Sequence, residues 1–167
     1  MTSTRTATAP SNLRYDAISS YAERVGTHYE IYDDDGSADI MAFIHRLGGD
    51  IVYADSIESL DVNARGDFTV TIPRTTSPRR DQFTAAHELG HYFLHYVLPK
   101  EEKPMAFWRG GRNRAETEAN VFAAALLMPE SRFRAAHGAG NDAQELARMF
   151  NVSPAAAEVR MQVLKLS

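Results

Sequence analysis

The segment His87-Glu88-Leu89-Gly90-His91 carries two imidazoles and a carboxylate in an order suited to metal-assisted hydrolysis. Residues four apart on a helix stand one turn above each other on one face, so His87 and His91 can share a metal ion. Glu88 projects at a neighbouring angle. It is the expected general acid/base, taking a proton from a metal-activated water and returning it to the leaving amine. A lone buried histidine is more often a core residue bonded to a backbone carbonyl. Two at this spacing with a glutamate between them point to a metal site.

The surrounding residues must supply the helix. No proline occurs from Arg79 to Leu98, and Phe83, Ala86, Leu89, Gly90, Phe93, Leu94 and Val97 recur at helical spacing. That periodicity predicts an amphipathic helix from about Pro78 to Leu98, ended by Pro99. A catalytic zinc site needs a third protein ligand and an open position for water. The metzincin solution is absent, because the positions of its glycine and third histidine hold Leu94 and Val97. A straight helix would carry His95 about 12 Å from His87, too far to share one ion, so His95 is expected to support a ligand or to pack.

The next predicted helix, Arg114 to Met128, is the better source of a third ligand. Ala119, Phe122, Ala123, Leu126 and Leu127 form its apolar stripe, and Glu116 lies beside that stripe one turn back. A carboxylate there is costly unless paired or bound to a cation, so Glu116 is the expected third ligand. Asn120, one turn on, is either a hydrogen-bonding support for a ligand or a surface amide. Glu118 points well away from the stripe and is expected to be a solvated surface charge.

Together these motifs resemble a known family. Phe83 to His95 reads F-T-A-A-H-E-L-G-H-Y-F-L-H, and Glu116 to Pro129 reads E-T-E-A-N-V-F-A-A-A-L-L-M-P. With L-A-R-M-F-N-V-S-P-A-A-A-E-V-R-M near the C-terminus, they are similar to the ImmA/IrrE metallopeptidases over roughly residues 68–165. The resemblance implies a gluzincin-like enzyme with zinc on His87, His91 and Glu116 and with Glu88 as general acid/base. It also implies a protein substrate, a co-encoded repressor of the helix-turn-helix class, as in stress-response or toxin–antitoxin-like gene pairs. Longer members continue into a sensor-like domain, and sensing by such a domain is not implied here.

Composition limits the alternatives. The hydrophobic share of 44% is ordinary for a globular domain, and a net charge of −4 argues against a phosphate-tracking surface. The chain has no cysteine, which excludes disulfides, thiolate-bound zinc and thiol catalysis. Zinc suits mixed nitrogen and oxygen ligands, and manganese or iron can use the same donors. Residues 1–12 are polar, read as a flexible tail and lack the apolar run of a signal peptide. No segment is long enough to span a bilayer, and a cytoplasmic location is expected.

The expected architecture is α+β. It is a zincin-like metallopeptidase core over residues 13–137, a small mixed or antiparallel sheet packed on the HExxH helix, and C-terminal helices over 138–167 packed on the core. A first helix, Leu13 to about Val25, has Asn12 as its N-cap, and a second is capped by Ser37 and runs through Leu47. The acidic turn Asp33-Asp34-Asp35-Gly36 lacks the other EF-hand positions and reads as a solvated loop. Ile51 to Ala54 is a short strand.

Asp67 to Pro73 alternates Phe68, Val70 and Ile72 with Thr69 and Thr71, a strand signature. Pro73 suggests an edge position, so Thr69, Val70 and Thr71 are the expected substrate-binding strand. Residues 99–113 read as a charged loop whose Met105, Phe107 and Trp108 contact a partner or fold back on the core. Helices about Glu130–Ala136, Asp142–Phe150 and Pro154–Leu164 follow, the last two mimicking a helix-turn-helix. Direct DNA binding is disfavoured, because acids balance bases there and the would-be recognition helix opens Pro154-Ala155-Ala156-Ala157.

The leading reading is a zinc endopeptidase, with Tyr53, Tyr92, Tyr96 and His137 as undifferentiated candidates for oxyanion stabilisation. The alternative is a metal-stabilised module that binds a repressor or antitoxin without cutting it.

Overall fold

The computed structural model describes residues 8–108 and 113–166. Helices α1 (Tyr15–His28) and α2 (Ile40–Arg46) precede strands β1 (Gly49–Ala54), β2 (Ser59–Ala64) and β3 (Asp67–Pro73). Helix α3 (Pro78–Tyr92) continues into a π-helical turn, Phe93–Val97. Strand β4 (Met105–Trp108) then leads to helices α4 (Arg114–Leu127), α5 (Glu130–Gly138), α6 (Ala143–Phe150) and α7 (Pro154–Val163). Part of the expected loop is therefore a strand. Gly110 and Gly111 lie outside the described residues, as do residues 1–7.

The four strands form one mixed sheet in the order β1-β3-β2-β4. β3 runs parallel to β1 and antiparallel to β2, with Val70 opposite both Ile51 and Leu60. The alternation in β3 is as expected, since Phe68, Val70 and Ile72 are buried. Its edge position is not. β3 has neighbours on both sides, so Thr69, Val70 and Thr71 have no open backbone edge to offer a substrate. Pro73 is tolerated because it is the last residue of the strand, where a missing N–H costs the ladder little. Among the described residues the outer edges belong to β1 and β4.

The buried face of the sheet rests on α3. The Phe68 ring stacks on Tyr92 at 4.3 Å, and the Tyr92 hydroxyl accepts from Gly66 N in the β2–β3 turn at 2.9 Å. Helix α3 begins where proline and serine dictate: Ser77 accepts from Arg80 N, and Pro78 occupies the first turn. On the other side α4 is sandwiched. It packs against α3, and against α1 through Phe122, whose ring lies 6.0 Å from Tyr21.

Two local expectations are adjusted. Helix α1 starts at Tyr15 with Arg14 at the cap position, and Asn12 instead adopts a left-handed conformation. Asp39, not Ser37, caps α2. Asp142 and Ser153 cap α6 and α7, with Asn151 left-handed between them. The C-terminal helices are fastened to the rest by the Phe133–Phe150 ring contact and by Arg160 Nε donating to Met128 O at 3.0 Å.

In a strand paired on both sides every N–H is a ladder donor, so Thr71→Pro should leave a ladder carbonyl without its donor and cost about 1–3 kcal/mol. Thermal unfolding should then fall by about 2–4 °C per kcal/mol lost. An unchanged melting temperature would contradict the interior placement of β3.

Candidate metal centre

Two helices supply the site. His87 and His91 lie on α3 one turn apart, with ring centroids separated by 4.9 Å. Helix α4 begins at the Asn113 cap, whose side chain accepts from Glu116 N at 2.9 Å, so Glu116 sits in its first turn. The Glu116 carboxylate then reaches between the imidazoles, with Oε2 3.1 Å from His87 Nε2 and Oε1 2.9 Å from His91 Nε2. One ligand atom from each of the three residues lies within 4.8 Å of the others, and all three residues are buried.

That approach depends on Gly90. A Cβ at residue 90 would stand 2.9 Å from both Cα and O of Ala119 on α4. Only a residue without a side chain lets the helix backbones pass this closely.

Behind the ligand atoms each imidazole is held at its other nitrogen. His87 Nδ1 lies 2.7 Å from Asn120 Oδ1, so Asn120 is an exposed amide that is also hydrogen-bonded to His87. His91 Nδ1 lies 2.9 Å from His95 Nδ1, and His95 Nε2 donates to Glu118 Oε1 at 2.8 Å. His95 is thus a support too, carried on the π-helical turn closed by Leu98 N donating to Phe93 O.

Glu118 is a correction: it is fully buried, not a solvated charge. Its carboxylate accepts from Ser11 N at 2.8 Å, Ser11 Oγ at 2.9 Å and Asn12 N at 3.0 Å. The end of the expected tail is therefore fixed to α4. Sequence reasoning missed this because α4 is covered on the α1 side as well as by α3, and no local pattern announces a partner 107 residues away.

Electrostatics favour ligand-competent forms. Burial pushes His91 down to about 4, against the pull of Glu116, so the imidazole is neutral at pH 7. Burial would raise Glu116, but the two adjacent imidazoles outweigh it and hold the carboxyl at about 2. Burial likewise lowers His95, while His95 and Ser11 overcome burial to lower Glu118. Two imidazoles and a carboxylate, buried and converging, form a nitrogen–oxygen donor set of the kind zinc takes, and manganese or iron can use such a set as well.

A cavity of about 620 Å³ borders the cluster, lined by His87, Glu116 and Asn120 with Arg79, Phe83, Ser153 and others. Tyr53, Tyr92, Tyr96 and His137 are not among its lining residues. Phe107 of β4 stacks on His91 at 5.4 Å, so one of the loop aromatics folds onto the centre. Glu88 is buried next to His87 in α3, with 1% of its surface exposed.

Residues 37–162 match the family model of the IrrE N-terminal-like domain of the M78 peptidases. The chain belongs to that family. Its mixed sheet backing an HExxH helix is consistent with the zincin-like fold of M78. A solved structure described as a Mycobacterium tuberculosis transcriptional regulator superposes with a TM-score of 0.61 at 18% identity. The superposition covers 91% of this chain and 48% of that one, so the chain spans about half the length of its structural neighbour. At that identity the likeness concerns the fold alone. No curated protein sequence gives a match.

Two outcomes test the geometry. Ala exceeds Gly in helix propensity by up to about 1 kcal/mol, yet Gly90→Ala should destabilise by about 1–3 kcal/mol through overpacking. It should also weaken metal binding as α4 is displaced; a stabilised variant with unchanged affinity would refute the close-approach argument.

The second outcome is pH dependence of the metal-free protein. Because His91 is lowered from 6.5 to about 4, the unfolded chain binds the proton first as pH falls. Stability should be fully present above about pH 6.5, decline towards pH 4, and fall further below pH 4.5 as Glu116 is protonated. Melting curves of chelator-treated protein across this range would reveal the decline or its absence.

Proposed function

We propose that this chain is a zinc-dependent endopeptidase that hydrolyses a peptide bond in a protein partner, a helix-turn-helix transcriptional repressor. The observation carrying the proposal is the convergence of His87, His91 and Glu116 beside an open cavity, with Glu88 buried next to them. Family membership supports the peptidase class, and the repressor as substrate rests on the family resemblance. Among the described residues no helix is long and apolar enough to cross a membrane.

Held by His87, His91 and Glu116, the metal would supply Lewis acidity, polarising the scissile carbonyl and making water a better nucleophile. The remaining work falls to the chain. Asn120 and His95 keep the two imidazoles turned so that their Nε2 atoms face Glu116. Glu88, as a carboxylate, takes the proton of the attacking water and delivers it to the leaving nitrogen. Burial of the cluster limits competing solvent and strengthens these interactions.

Glu88→Gln separates hydrolysis from binding. It removes the proton acceptor and keeps the side chain's size, so metal content should remain near wild type. Cleavage of the repressor should fall by about 10²–10⁴-fold or more. The measurement is fragment formation by mass spectrometry alongside metal analysis, with chelation abolishing cleavage and zinc restoring it. A Glu88→Gln protein that still silences or releases the repressor as well as wild type would instead support binding without cleavage.

A further inference from the structure

We infer that Glu118 and the Ser11–Asn12 segment are positioning groups of the metal centre, favouring through His95 one nitrogen of His91, Nδ1, as the place of its proton. The inference rests on the proposed metal-holding role of His87, His91 and Glu116. Its basis is an unbroken hydrogen-bonded path from the N-terminal segment to a ligand atom.

The path is directional because its far end is a carboxylate. Glu118 is fully buried and accepts from Ser11 N, Ser11 Oγ and Asn12 N at 2.8–3.0 Å, and from Arg114 Nε at 3.3 Å. A carboxylate in such company only accepts, so His95 must carry its proton on Nε2, 2.8 Å away. Neutral His95 then has a bare lone pair on Nδ1. In the metal-free site the Glu116 carboxylate, 2.9 Å from His91 Nε2, competes for the His91 proton, but once Nε2 is given to a metal the proton can sit only on Nδ1, where the His95 lone pair 2.9 Å away accepts it. A neutral His91 with its proton on Nδ1 presents a bare Nε2 towards Glu116, which is the form that binds a metal. Asn120 cannot impose this on His87 with equal authority, since an amide can turn either its oxygen or its NH2 towards a ring.

The N-terminal segment is shaped for the task. Asn12 adopts φ 60°, in the left-handed region that asparagine tolerates, and the consecutive N–H groups of Ser11 and Asn12 converge on one carboxylate. Ser11 Oγ accepts from Leu13 N at 3.2 Å, leaving its own proton for Glu118. Residues remote in sequence thus favour Nδ1 as the place of the His91 proton, leaving Nε2 for the metal.

The test is zinc affinity of the full-length protein by competition with a chromophoric chelator. His95→Leu fills the space without an acceptor, whereas His95→Asn places an oxygen where Nδ1 stood. Loss of the support should weaken zinc binding by about 10–100-fold in the leucine variant. The asparagine variant should remain several-fold tighter than leucine. A packing role alone predicts the reverse, because a buried apolar side chain is tolerated better than a buried amide.

Leucine binding as tightly as asparagine, or tighter, overturns the inference. Ser11→Ala should also weaken zinc binding and Ser11→Thr restore it, a pair that reads out even if His95→Leu does not fold. Equal affinities for the alanine and threonine variants and wild type would count against the segment's role. Wild-type protein that takes up no zinc defeats the proposed function and this inference together; zinc-binding wild type with the wrong ranking defeats the inference alone.

Discussion

A carboxylate driven between two imidazoles is the contact on which the rest of the structure turns. Glu116 can reach His87 and His91 only because α4 crosses α3 with Ala119 against the bare Cα of Gly90. The contact gathers three buried polar side chains, with the buried Phe107 ring stacked on His91. Such a cluster is unfavourable in an apolar interior unless its lone pairs are satisfied, and a divalent cation satisfies all of them at once. The surrounding core supplies the stability that allows a site of this kind to persist.

Helix α4 contributes to both sides of the centre from alternate positions. Glu116 meets the imidazoles at Nε2, Asn120 holds the back of His87, and Glu118 reaches His95 behind His91. The π-helical turn at Phe93–Val97 matters here. It departs from the straight helix just where His95 must serve the neighbouring ring and not the ion, and π insertions of this kind often accompany functional sites. The two ligand helices are also tied at their ends, α3 through Tyr92 to the β2–β3 turn and α4 through Glu118 to Ser11. Rotation of either helix would break one of these ties before it displaced a ligand.

How much of this was legible in the sequence depended on whether a feature was local. The histidine pair and its intervening glutamate, the glycine between them and the proline-capped start of α3 are all written within a few turns of chain. Glu116 was legible because it flanks an apolar stripe. The placement of β3 was not, since being an edge is a property of neighbours. β2 offers only Leu60, Val62 and the small Ala64 as alternating apolar residues, and β4 is four residues between Pro104 and the Gly110-Gly111 pair. With both unread, a strand ending in proline looked like a border. Glu118 failed for the same reason: its donors come from Ser11 and Asn12, which no periodicity connects to α4.

The C-terminal helices carry a familiar outline into the wall of the cavity. α6, the left-handed Asn151 and α7 resemble the turn of a DNA reader, yet residues at the start of α7 border the cavity of the candidate metal centre. Ser153 and Ala156 line the same cavity as His87 and Glu116. Ala157 is buried, and Arg160, one of the few bases in this region, is committed to Met128 O. A recognition helix must present its first turns to a groove, with donors and cations free for base edges and phosphates. Here those turns form a wall of the cleft and the cation is spent internally. The N-terminal end of α7 therefore borders the cavity that His87 and Glu116 also line.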